Sequence, residues 1–141
     1  MVANTGTVSI APRWSPGATY TALGEGTFAG SVASADTLTF SDMVPTNGFI
    51  ITGLTLSGTK LDAHETAATA TIIVGDGTDT DFYLTGGLAG RDGPAADQLV
   101  LKGNGTGLGS GTYPASANIV VTVGGTVATA ASGGTCNVEI T

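Results

Sequence analysis

The chain has 141 residues, of which only 11% are charged and 6% aromatic, while Gly alone accounts for 23 positions. Its formal net charge is −7, with four Lys and Arg in total. A basic surface able to displace counterions from phosphates is therefore ruled out, and with it direct nucleic-acid binding or attraction to an anionic membrane. No run approaches the roughly 18 apolar residues that a spanning helix needs.

Residues 1–16 read as an irregular N-terminal arm, with residues 17–141 as a single β-sandwich domain. Pro12 and Pro16 fix φ and lack a donor, which keeps this segment out of a sheet interior. Trp14, the sole tryptophan, stands between them beside Arg13. The segment reads either as a frayed terminus or as an arm that orders on a neighbouring subunit, and for the second Pro12, Arg13 and Trp14 are the candidate partner-binding residues, because aromatic anchors dominate interface energetics. The opening MVANTGTVSIAPRW has neither a charged n-region nor an apolar h-region, so synthesis and first folding are expected in a cytoplasm.

From Ala18 the pattern becomes one of short β-branched runs with period-two alternation. Ala18–Leu23 and Thr27–Val32 read as strands parted by a turn at Gly24–Gly26. Asp36–Ser41 follows, with Leu38 and Phe40 on one face. Pro45, Asn47 and Gly48 supply a turn. The most hydrophobic stretch is Phe49–Val74, which reads as two antiparallel strands joined by the polar connection Thr59–Thr66. Phe82–Leu84 and Gln98–Lys102 are short strands, with loops at Gly86–Asp97 and Gly103–Tyr113. The chain closes on Ala117–Val123 and Asn137–Thr141, joined as a hairpin through Gly124–Gly134. About eight strands and no helical periodicity point to an all-β fold, a two-sheet sandwich or a barrel, with an eight-stranded jelly-roll sandwich best fitting the count.

Three clusters invite a chemical reading. Asp76, Asp79 and Asp81 in GDGTDTD form an oxygen-rich tip that a calcium ion uses, although the spacing matches neither an EF-hand nor a GGxGxD repeat and suits an ordinary turn. Asp62, His64 and Glu65 group the one histidine with carboxylates, but no nucleophile elbow accompanies them and one His with Cys136 falls short of a zinc site. They read as a solvated connection. The glycine runs at Gly24–Gly30 and Gly103–Gly111 lack the lysine and following helix of a phosphate loop. No cofactor and no catalytic residue is expected. Of the aromatics, Trp14 and Tyr113 alone are expected on display, and Cys136 has no disulfide partner.

The runs DTLTFSDMVPTNGFIITGLTLSGTKLD, ATIIVGDGTDTDFYLTGG and NIVVTVGGTVATAASGGTCNVEIT together resemble small virion accessory proteins of tailed bacteriophages. The resemblance spans residues 36–141. It implies a capsid decoration (cement) protein of jelly-roll or sandwich fold, assembling as a trimer on the major capsid protein at the virion surface. A head-fibre or tail module binding a host receptor or glycan is the alternative.

Overall fold

A computed structural model describes residues 1–10, 19–46, 49–59, 61–63, 69–88 and 98–141. Ten strands occur among them: β1 (Ala3–Thr5), β2 (Thr7–Ile10), β3 (Ala22–Ser31), β4 (Thr37–Phe40), β5 (Leu54–Thr59), β6 (Thr71–Gly75), β7 (Leu84–Leu88), β8 (Gln98–Lys102), β9 (Ile119–Gly124) and β10 (Ser132–Ile140). They form two five-stranded sheets, ordered β1-β4-β9-β6-β7 and β2-β3-β10-β5-β8. The protein is an all-β sandwich.

The winding follows from four antiparallel pairings. Strand β3 pairs with β10, β4 with β9, β5 with β8 and β6 with β7. The segment from β3 to β10 is thus one long hairpin rolled on itself, which is the topology of a jelly roll. The count is ten rather than eight. The two further strands come from the first ten residues, where the sequence suggests an irregular arm: β1 runs parallel to β4 and β2 antiparallel to β3.

The chain crosses from one sheet to the other at Gly6, whose N–H donates to the Thr39 carbonyl. A Cβ there would strike the ring of Phe40, and Cβ atoms at Gly24 and Gly26 would meet Phe40 and Leu38. Glycine at these positions makes room for two fully buried side chains rather than turning the chain. Hence Gly24–Gly26, expected as a turn, lies inside one continuous ten-residue strand. Asn4 closes the same edge, accepting from the Ala29 N–H and donating to the Thr37 carbonyl.

Alternation sets the faces. In β9 the buried Ile119, Val121 and Val123 interleave with half-buried Val120 and Thr122, and β10 buries Cys136, Val138 and Ile140 against exposed Thr135, Asn137 and Glu139. The core gathers these with Phe28, Phe40, Leu56, Ile72 and Tyr83. Each such side chain contributes about 1.5–3 kcal/mol of hydrophobic stabilisation. Phe82 and Tyr83, expected to open a strand, instead lie just before β7 and pack edge to face, centroids 4.9 Å apart.

Two expected hairpins do not form. Strands β5 and β6 lie in different sheets, β5 between β10 and β8, and β6 between β9 and β7. Strands β9 and β10 are likewise in opposite sheets. Alternation says which residues face the core, but in a sandwich both sheets face it, so the pattern alone names no partner.

Candidate functional site

Register places the strand ends. Phe40, Ile119, Gly75 and Leu84 come together at one end of the sandwich, as do Ala22, Ile140, Leu54 and Lys102 of the second sheet. The loop after β8 joins the two sets: Gly103 donates to the Leu54 carbonyl, Gly105 to Tyr83, Gly107 to Phe82 and Gly109 to Ile51. A Cβ at Gly107 would collide with the Phe82 ring, so this glycine-rich loop lies tightly on its neighbours. Thr141 closes the same end by exchanging hydrogen bonds with Gly53.

Asp76 stands at that end, fully buried. Its Oδ1 accepts from the N–H groups of Thr78 and Asp79, and its Oδ2 from Ala115 and Ser116. Four donors occupy the carboxylate's lone-pair sites and fix Ala115 and Ser116 against the turn. Burial alone would push its pKa up, but these backbone hydrogen bonds outweigh it and hold the carboxyl below its ordinary value. Asp79 is exposed and accepts from the Asp81 N–H. Asp81 is raised by a hydrogen bond to the Asp79 carboxylate, with lesser contributions from desolvation and the Asp79 charge. Among the described residues no cluster of His, Cys, Asp or Glu is arranged to hold a metal ion. Of the candidate calcium tip, Asp76 is taken up by backbone donors, while Asp79 is exposed and Asp81 half-buried.

At the opposite end two further aspartates act alike. Asp62, expected in a solvated connection, is fully buried. Its Oδ2 accepts from Thr69, Ala70 and Ala128, and its Oδ1 from Thr129, so it joins the start of β6 to the loop before β10. Asp36 accepts from Val2 at 2.7 Å and Ala33 at 2.9 Å, tying the first residues to the turn before β4. Neither role is announced by a motif; an aspartate beside a turn is the only signal. His64 and Glu65, and the arm residues Pro12, Arg13 and Trp14, lie outside the described residues.

Two other polar groups are inert by burial. The Cys136 thiol is pushed up to about 12 by desolvation. Tyr83 is buried with its hydroxyl unpartnered, and desolvation raises its pKa, with the Asp76 charge adding to the shift.

Met1 and Val2 are exposed beside Asp36, and further accessible features lie at the Asp76 end. A groove of about 360 Å³ is lined by Asp42, Met43, Val44, Pro45, Phe49 and Ala117. Phe49 is braced edge to face by Tyr20, centroids 6.2 Å apart. Ile50 is 57% exposed and Tyr113 48%. Tyr113 was legible in the sequence as a displayed aromatic; the groove was not, because it joins the β4–β5 connection to Ala117 across 70 residues of chain.

No protein-family model matches this sequence, and no curated protein matches it. Among solved structures, a chain of the cyanophage Pam1 capsid asymmetric unit shares the fold with a TM-score of 0.60. It is 21% identical, over 92% of this chain and 91% of that one. The likeness is one of fold, and it spans the sandwich as a whole.

Proposed function

We propose that the chain is a structural protein of a tailed-phage virion, a decoration protein that binds the major capsid protein on the outer surface of the head. The observation that carries this is the shared fold with a capsid asymmetric-unit chain over nearly the full length of both. The phage-like runs in residues 36–141 support it independently. In this reading the protein does no chemistry. It is made in the host cytoplasm, assembles as a homo-oligomer, a trimer, and acts by surface complementarity.

Stabilisation then follows from mass action. A ligand that binds the assembled shell and not free subunits adds RT ln(1 + [L]/Kd) per site, about 2.7 kcal/mol at a hundredfold excess over Kd. Summed over a shell, such increments oppose the outward pressure of packaged DNA.

The test is reconstitution. Heads assembled without this chain should burst at lower temperature than complete heads, and adding the purified chain should restore the difference. Heads equally robust with and without it would refute the decoration reading.

A further inference from the structure

The two ends of the sandwich differ in what they offer a partner. At the Asp76 end, the described charged residues that reach solvent are Asp42, Asp79, Asp81 and Glu139, against Lys102 as the one described cation. The same end carries exposed Ile50 and Tyr113 and the groove beneath Phe49. Asp42 sits at the groove's rim with φ of 54°, its N–H donating to the Asn118 side chain, so its carboxylate is carried on a fixed turn.

This surface is formed before any partner arrives. Asp76 pins Ala115 and Ser116 to the turn at Thr78 and Asp79, and four backbone hydrogen bonds hold the loop after β8. Little ordering entropy is left to oppose binding. Building on the decoration reading, we infer that this end is the shell-facing surface, and that it docks a basic segment of the shell protein with an apolar side chain entering the groove. The sign of the charge selects that occupant. A second copy presenting the same end would set carboxylate against carboxylate, and nucleic acid or an anionic lipid surface would be repelled. A Lys or Arg side chain would instead bridge Asp79 and Asp81, which lie close together, the Asp79 carboxylate accepting from the Asp81 N–H. Ile50, adjoining the groove residue Phe49, supplies apolar contact area beside it.

The experiment measures binding of purified chain to heads assembled without it, as a function of salt. Asp79→Lys with Asp81→Lys should weaken binding about tenfold or more and flatten the salt dependence. Asp79→Asn with Asp81→Asn should weaken it by less, and Ile50→Arg should also reduce it. Glu25→Lys with Thr27→Lys, both exposed on the outer face of the second sheet and further from that end, serves as the control and should bind within about twofold of the parent. End variants that bind like the parent, or a control that loses binding while they retain it, would overturn the assignment. So would an Ile50→Arg chain whose main defect, by sedimentation, is loss of self-association, because the occupant would then be a second copy. A parent chain that binds no heads at all would instead sink the decoration reading on which the inference rests.

Discussion

At the end of the sandwich where β3 turns into β4, the described aspartates are wholly enclosed: Asp36 and Asp62 spend their lone pairs on backbone N–H groups from distant parts of the chain. At the opposite end Asp76 is enclosed in the same way, yet Asp79 in the same turn and Asp42 in the loop after β4 stand in solvent, with exposed apolar side chains at the same end. The difference teaches that acidity here has two unrelated purposes. A carboxylate surrounded by orphan amides replaces secondary structure in loops that have none. A carboxylate left in water adds little to the fold and is available to a partner.

The contrast can be broken most forcefully at Asp62. Asp62→Ala strands four backbone donors in a buried site, and should cost about 3–5 kcal/mol in chemical denaturation. Asp79→Ala, by comparison, should stay within about 0.5 kcal/mol of the parent. A similar loss at both positions would erase the distinction.

Asp76 sharpens it through pH. Because its folded pKa is lowered, its contribution is present above the unfolded value of about 3.9 and is lost as pH falls below that toward the folded value. Asp76→Asn should be less stable than the parent at neutral pH by about 2 kcal/mol, and the gap should close as the solution is acidified through that window. A gap that stays constant with pH would mean the carboxylate's charge is irrelevant.

Gly6→Ala probes the edge that Asp36 secures. The added methyl meets the buried Phe40 ring, and overpacking of this kind costs about 1–3 kcal/mol. Hydrogen exchange should speed first in residues 2–10. Smallest of all is Tyr83→Phe: its hydroxyl has no partner, so removal should be neutral or stabilising by up to about 1 kcal/mol in thermal unfolding.

These contrasts also mark what a linear sequence conveys. The strand at Gln98–Lys102 and the core alternation of Leu38 with Phe40 and of Cys136, Val138 and Ile140 were legible, because period-two burial is a local property. The pairing of Leu54–Thr59 with Thr71–Gly75 was misread, since either sheet satisfies the same alternation. Asp62 looked solvated because its four donors come from residues 69, 70, 128 and 129, of which the last two are far along the chain. The N-terminal strands were hidden by small residues: Ala3, Asn4, Thr5 and Thr7 carry little apolar signal, and their place depends on Gly6 fitting over Phe40. The groove and its acidic rim share that obscurity, being assembled from separate loops.

Copy number bears most directly on the virion role. Quantitative mass spectrometry of purified particles should find this chain in fixed, simple proportion to the major capsid protein, as a component repeated over the whole shell must be. A count fitting a single vertex or one tail, or absence from the particle, would contradict the account.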